Sequence, residues 1–201
     1  CEGFIKNHST DKEGHYLMGL ICQAMNEPEK AEKSYSKVLY LDPGHYYGAD
    51  ISEELMEAGY QLELSEGQRE KLPRENLHQT GDFDFSFLRQ PVDFAMAQSV
   101  FTHLPVNHIR RCLTELAPWL TMGGALYATA WLAPEAHPLN IAYTQPGKLE
   151  GEPIVTTDIA DPYHYHPQDF MFAVQNLPLR CEILGDWRHP RGQPMLIFRK
   201  V

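Results

Sequence analysis

Hydrophobic positions recur with a helical period most clearly between Val106 and Leu120. Ile109, Cys112, Leu113, Leu116, Ala117 and Leu120 stand at i, i+3, i+4, i+7, i+8 and i+11, which makes one apolar stripe. Before it, "PVDFAMAQS" alternates Val92, Phe94 and Met96 and reads as a strand. After it, "TMGG" reads as a turn into "ALYATAWLA", an apolar run suited to a buried strand. Upstream, "YYGAD" reads as a strand and Ser52 to Gly59 as a helix capped by Ser52. "SEGQ", from Ser65, is a capping box opening a short second helix, and "NLHQT" is a strand ending at Gly81-Asp82. "PQDFMFAVQNL" is a further helix; "CEILGDW" and "PMLIFRKV" are closing strands joined by "RHPRGQ". Residues 133–166, rich in Pro, His and Tyr, are expected to form a long loop, and such loops commonly carry function.

The first part of the chain has a different pattern. Residues 12–42 predict two helices and a tight turn: "EGHYLMGLICQAM" is apolar and free of proline, Asn26 and Glu27 break it, and Pro28 and Glu29 suit a first helical turn. Ala31, Tyr35, Val38 and Leu39 share one face of the second helix, and Pro43 and Gly44 end it. Met18-Gly19, Ala31, Tyr35 and Pro43 are in register with the tetratricopeptide repeat, which this hairpin resembles. His15 and Cys22 depart from it, standing where Trp and Tyr are usual. Gly19 and Ala31 would let the helices touch. One repeat cannot bury its own face, so it must pack on something else.

Composition narrows the classes. With 201 residues, 43% hydrophobic and 22% charged, the chain suits one ordinary α/β domain or a small domain plus an appendage. A net charge of −10 argues against nucleic acid or an anionic membrane as partner, "HIRR" (His108 to Arg111) being the one small basic cluster. No apolar run approaches a membrane span. "CEGFIKNHST" has no signal-peptide core, and the missing initiator Met suggests a fragment. Cys1, Cys22, Cys112 and Cys181 form no CxxC, so reduced thiols and a cytoplasmic location are expected.

Residues 44–201 resemble the class I S-adenosylmethionine-dependent methyltransferases. The resemblance rests on "YYGADISEELMEAG", "GDFDFSF", "VDFAMAQSVFTHLP" with its helix, and "TMGGALYATAW", with the closing strand pair in support. It implies an S-adenosylmethionine cofactor, a small-molecule substrate and a Rossmann-like α/β sheet. It also implies that Asp50 accepts hydrogen bonds from the ribose hydroxyls, and that Ile51 packs on the adenine face. Asp82 would lie near the adenine amino group with Phe83 beside the ring, and Gln98 and Ser99 would face the cleft at the end of the fourth strand. Each has a plainer alternative: a helix-start carboxylate at Asp50, core at Ile51, a surface turn at "TGDFD", a turn cap at Gln98 and Ser99. His103, in "FTHLP", suits a general base, a substrate contact or a structural role. "PYHYHP" places Tyr163, His164 and Tyr165 on the long loop as an aromatic lid; its HxH spacing lacks a suggestive third metal ligand, so no metal is expected. Trp187, His189 and Arg191 are candidates for the same pocket wall, or for plain surface.

One part of the family pattern is missing. Its cofactor loop is glycine-rich and follows strand one, about 20 residues before the acidic residue of strand two. Before Gly44 the glycines are Gly3, Gly14 and Gly19, none in a strand-to-helix context. The hairpin occupies that place, with the seam at "LDPGHYYG". The expectation is a hairpin over residues 1–43 and a methyltransferase-like domain over 44–201, its sheet incomplete at the first strand and its cofactor binding weakened. Similar repeats are fused to chemotaxis-receptor methyltransferases. A second reading is a noncatalytic module that uses the hairpin to bind a protein partner.

Overall fold

Asp50, Ser52 and the residues after them form a compact start to the α/β part. In the computed structural model, residues 46–201 are described except 71, 150 and 188, together with His15, Met18, Gly19, Cys22, Lys30 and Ser34. Those six positions are helical; the rest of the expected hairpin lies outside the described residues. The chain divides into two units, residues 1–88 and 89–201.

In the first unit, strand β1 (Gly48–Asp50) pairs in parallel with β2 (Leu77–Gln79), with Asp50 opposite Gln79. Between them lie helices α1 (Glu53–Leu62) and α2 (Glu66–Arg69). Ser52 Oγ accepts the Leu55 N–H at 3.2 Å, filling one of the orphan donors of the α1 start. Ser65 N–H donates to Gln68 Oε1 at 2.8 Å, the half of the capping box that "SEGQ" predicts. Arg74 Nε donates to Glu57 Oε2 at 2.7 Å and ties the approach to β2 back to α1. The strand is shorter than "YYGAD": Tyr46 and Tyr47 precede it, and the Tyr47 ring lies 6.2 Å from Phe87.

The second unit is built on a four-stranded sheet ordered β3–β4–β10–β9, from β3 (Val92–Ala97), β4 (Leu120–Thr129), β9 (Leu179–Gly185) and β10 (Met195–Lys200). β3 and β4 run parallel, and β10 is antiparallel to both β4 and β9. Helix α3 (Val106–Leu116) buries Ile109, Cys112, Leu113 and Leu116, the stripe its period predicts. It stops four residues before Leu120, because Pro118 lacks an N–H and Ala117–Trp119 tighten into a 3-10 turn. Helix α4 (Pro167–Val174) buries Phe170 and Ala173. Arg110, on α3, donates to the Phe172 and Gln175 carbonyls at 2.6 and 2.8 Å, occupying acceptors at the end of α4. The Phe101, Phe170 and Phe198 rings meet at 6.0 and 6.1 Å and join the turn after β3, α4 and β10 in one core.

Two segments differ from their sequence pattern. "TMGG" is the bulged start of β4, not a turn: the register against β3 shifts between Val92 and Phe94, and Gly123 has φ 80°. A Cβ on Gly124 would come within 2.7 Å of the Asp93 carbonyl, so this approach of the strands needs glycine. Residues 133–166 are not one loop. They hold an antiparallel hairpin of β6 (Tyr143–Leu149) and β7 (Glu152–Thr156). A short strand β8 (His164–Tyr165) then pairs in parallel with β5 (Trp131–Leu132). Pro146 and Gly147 disguise β6 as a loop. A register shift between Thr144 and Lys148 absorbs them, and a Cβ on Gly147 would sit 2.2 Å from the Arg191 backbone.

Among the described residues, β1 pairs only with β2, and β3 only with β4.

Candidate functional site

The carboxyl edge of β1 and β2 gathers the sequence candidates of the first unit. The Thr80 N–H donates to the Asp50 carbonyl at 2.9 Å, and Gln79 Nε2 donates to the Ile51 carbonyl at 3.0 Å. Asp50 Oδ1 accepts the Ser52 N–H at 2.8 Å, which orients the carboxylate at the mouth of α1; no described residue donates to Oδ2. A carboxylate fixed through one oxygen keeps acceptor capacity on the other. Ile51 is 71% exposed, so it is not core. It lies over Gly81, whose added Cβ would meet it at 3.7 Å, an open apolar shelf beside a carboxylate. Asp82 shapes its own turn: Oδ1 accepts the Thr80 hydroxyl and the Asp84 N–H, each at 3.3 Å. Phe83 is held at φ 63°, a conformation uncommon outside glycine. Asp84 accepts the Ser86 N–H, which holds its carboxyl below the usual range.

In the second unit the carboxyl edge of β3 carries Gln98 and Ser99. Ser99 has φ 58°. Its N–H donates to Thr129 Oγ1 at 2.8 Å, and its hydroxyl donates to Gln193 Oε1 at 3.0 Å. Thr129 Oγ1 donates to the same Gln193 oxygen at 2.6 Å. The turn after Ser99 carries His103, whose Nδ1 lies 2.7 Å from Asp161 Oδ1, both side chains exposed. An ionised carboxylate only accepts, so Nδ1 carries the hydrogen and Nε2 is the nitrogen left for a ligand. Tyr163 N–H donates to the Thr102 carbonyl at 2.8 Å, fixing the Asp161 segment beside that turn.

The expected aromatic lid is mostly interior. Tyr165 is buried, its hydroxyl shared between the Phe101 and Leu104 carbonyls, and burial pushes its phenol far above the ordinary range. Tyr163 stacks on it at 6.4 Å. His164 is buried against Thr156, with Nδ1 at 3.0 Å from Oγ1. Trp187 Nε1 donates to the Gln193 carbonyl at 2.8 Å, and the Trp187 ring lies 5.4 Å from His189. Burial, and then the Arg191 charge, hold His189 down at about 4. The Cys112 and Cys181 thiols are pushed up to about 12 by burial, which leaves them protonated and inert. No three His, Cys, Asp or Glu side chains among the described residues converge as metal ligands do.

Sequence reasoning missed Asp161, Thr129, Gln145, Thr156 and Gln193. Asp161 in a Pro-rich stretch and Gln193 in a hairpin connection carry no local signal; each acquires its role only through a partner distant in the chain.

Comparison with solved structures identifies the architecture. Streptomyces venezuelae DesVI superposes with a TM-score of 0.53 at 17% identity, over 86% of this chain and 79% of its own. An amino pentose methyltransferase of calicheamicin biosynthesis from Micromonospora echinaspora, solved with S-adenosylmethionine bound, gives 0.54 at 13%, over 84% and 79%. The glycopeptide N-methyltransferase MtfA, complexed with S-adenosyl-L-homocysteine, gives 0.52 at 12%, over 78% and 74%. The chain has the S-adenosylmethionine-dependent methyltransferase fold. Asp50 stands at the carboxyl end of β1 in the first unit, and Ser99 lies just past that of β3 in the second. The tetratricopeptide repeat model matches residues 13–45, the stretch whose sequence resembles that repeat. No curated protein matches the sequence. Among the described residues no helix is long and apolar enough to cross a membrane.

Proposed function

We propose that this chain is a cytoplasmic homologue of the S-adenosylmethionine-dependent methyltransferases, acting on a small molecule and binding its cofactor weakly. The observation that carries the reading is the Asp50 edge: a carboxylate with one oxygen anchored and one open, next to an exposed Ile51 shelf. Those residues fit a nucleoside, the carboxylate taking ribose hydroxyls and the shelf an adenine face, with Asp82 and Phe83 at its rim. Gln98 and Ser99, past the end of β3, would keep the cofactor-binding role that the family resemblance implies. When bound, the cofactor would supply an activated methyl group. His103, with Asp161 holding its Nδ1–H, would take the acceptor's proton at Nε2. Tyr163, Trp187 and His189 would wall the acceptor side.

The domain division that goes with this reading is a repeat-like hairpin over residues 1–43 and the methyltransferase-like part over 44–201. Affinity is low on this reading because no glycine-rich loop, which would hold the amino-acid end of the cofactor, precedes Asp50 at the family's spacing. The repeat match at residues 13–45 favours a second reading, a noncatalytic module whose hairpin binds a protein partner.

Calorimetry with S-adenosylmethionine and S-adenosylhomocysteine tests the first reading. Weak but measurable binding is expected, and Asp50→Ala should weaken it far more than Asp82→Ala. Hydrogen bonds to a charged acceptor are worth about 1.5–3 kcal/mol, so the Asp50 loss should be roughly tenfold or more. Asp82 is engaged by its own turn and offers a single replaceable contact. Low-micromolar affinity for the unmodified chain would contradict the weak-site reading. Equal losses in the two variants would remove Asp50 from the ribose role.

A further inference from the structure

Ser99 holds a backbone conformation that a residue with a Cβ does not favour. Its φ of 58° lies in the left-handed region. Such a conformation persists only where its surroundings impose it. It sits where the chain leaves β3 for the 3-10 turn Phe101–His103. Val100 is already helical, at φ −77° and ψ −46°, so the left-handed bend at Ser99 comes directly before the turn.

Three hydrogen bonds impose the bend. The Ser99 N–H donates to Thr129 Oγ1 at 2.8 Å, its hydroxyl donates to Gln193 Oε1 at 3.0 Å, and its carbonyl accepts the Thr102 hydroxyl at 2.7 Å. Thr129 is buried on β4, and its hydroxyl donates to the same Gln193 oxygen at 2.6 Å. That length is normal for O–H···O and short for N–H···O, so the amide oxygen faces the two hydroxyls. With its hydrogen directed at Gln193, Thr129 Oγ1 keeps its lone pairs for the Ser99 N–H. One oxygen thus fixes Ser99 twice, directly and through Thr129. The cost falls on the other end of the amide. Gln193 is 1% exposed, and its Nε2 has no partner among the described residues. An apolar side chain of the same length would avoid that cost, so stability alone does not account for Gln193.

We infer that Gln193 is a positioning residue: it holds Ser99 left-handed, and through Ser99 it aims the turn that presents His103. The connection runs on to the partner of His103. The Thr102 carbonyl accepts the Tyr163 N–H at 2.8 Å, which sets the Asp161 segment beside the turn. The body of the turn is anchored separately, by the buried Phe101 ring and by the Tyr165 hydroxyl on the Phe101 and Leu104 carbonyls. Gln193 therefore governs how the chain enters the turn, while Phe101 and Tyr165 hold it to the core. The use of this turn in methyl transfer rests on the function proposed above; the positioning role rests on the geometry of the second unit.

NMR spectra test it. In the unmodified chain Ser99 should give the strong intraresidue HN–Hα NOE of a positive φ. Long-range 15N–1H spectra at alkaline pH should show His103 as the Nδ1–H tautomer. Gln193→Met keeps the length and removes the acceptor; it should abolish the NOE and give His103 a mixture of tautomers. Gln193→Glu keeps an acceptor oxygen and should preserve both signals. In a Ser99→Gly background glycine takes this φ freely, so adding Gln193→Met should leave the His103 spectrum as it is in Ser99→Gly alone. Should Gln193→Met fail to fold, Ser99→Ala removes the same hydrogen bond from the other side and should give the same losses. A missing NOE in the unmodified chain, both signals retained in Gln193→Met or Ser99→Ala, or an equal effect of Gln193→Met in both backgrounds would overturn the positioning role. Calorimetry with S-adenosylhomocysteine separates the two ideas. Loss of the turn signals in Gln193→Met, with no nucleoside binding by the unmodified chain, sinks the methyltransferase reading and leaves the positioning role. Nucleoside binding with the turn signals intact in Gln193→Met does the reverse.

Discussion

Ile109→Asp should unfold the second unit. Ile109 is fully buried on α3, in the stripe it shares with Cys112, Leu113 and Leu116. The substitution removes an apolar side chain from a close-packed site and puts an unpaired carboxylate there. The lost burial alone costs roughly 2–5 kcal/mol, and an isolated interior charge adds to it. A domain stable by about 5–15 kcal/mol does not survive the upper part of that range, and the lower part lowers the melting temperature by about 10 °C or more. Circular dichroism melts check it, with Asn107→Asp as the control. Asn107 is exposed in the first turn of the same helix, where a negative charge is neutral or slightly favourable. An unchanged melt for Ile109→Asp would mean that the apolar stripe does not face the core.

That prediction was readable from the sequence because a helix face is set by residues within three turns of each other. The same holds for Ser52 and "SEGQ", whose caps are closed by residues three positions away, and for β3, whose alternation needs no partner to be seen. Reading failed where a distant segment decides the local structure. Gly124 looks like a turn residue, yet it is a bulge because the Asp93 carbonyl of β3 comes against it. Pro146 and Gly147 look like strand breakers. They lie in β6 because the Arg191–Gly192 backbone occupies the space a Cβ would need.

The candidate site divides the same way. Asp50 was visible because strand, acid and helix are adjacent in the chain, and the anchoring of Oδ1 by Ser52 follows from the same local order. Its plainer role as a helix-start carboxylate and its proposed role as a ribose acceptor are therefore compatible: the two use different oxygens. Asp161, by contrast, is 58 residues from His103, and Gln193 is 94 residues from Ser99. The second pair is made by the sheet order β3–β4–β10, which brings the end of β3 and the start of β10 to either side of β4, and the first by the Tyr163 N–H bond to the Thr102 carbonyl. No pattern within either segment specifies them.

Acidification from about pH 7 to about pH 5 should destabilise the protein, and His189→Asn should remove a defined share of that loss. His189 is buried, and its pKa is held at about 4 against an ordinary 6.5, first by burial and then by the Arg191 charge. In the unfolded chain the same ring takes up a proton as the pH falls through its ordinary value. Between the two values the unfolded state binds the extra proton, so stability is full above about 6.5 and is lost progressively down to about 4. By pH 5 the deficit is about 2 kcal/mol, at about 1.4 kcal/mol per pH unit. His164 acts in the same direction, and Glu57 and Asp84, whose carboxyls are held low by Arg74 and Ser86, also lose stabilisation on acidification. All three remain in the variant, so they cancel in the comparison. Asn at this position keeps an oxygen for the Arg191 N–H, which His189 Nδ1 accepts at 3.3 Å, and it does not titrate. Urea denaturation at the two pH values should therefore give a loss about 2 kcal/mol smaller in His189→Asn than in the unmodified chain. An equal loss would mean that His189 is hydrated and protonates in the folded state. It would then present a cation beside Trp187, and the proposed acceptor wall would favour anions rather than neutral ligands.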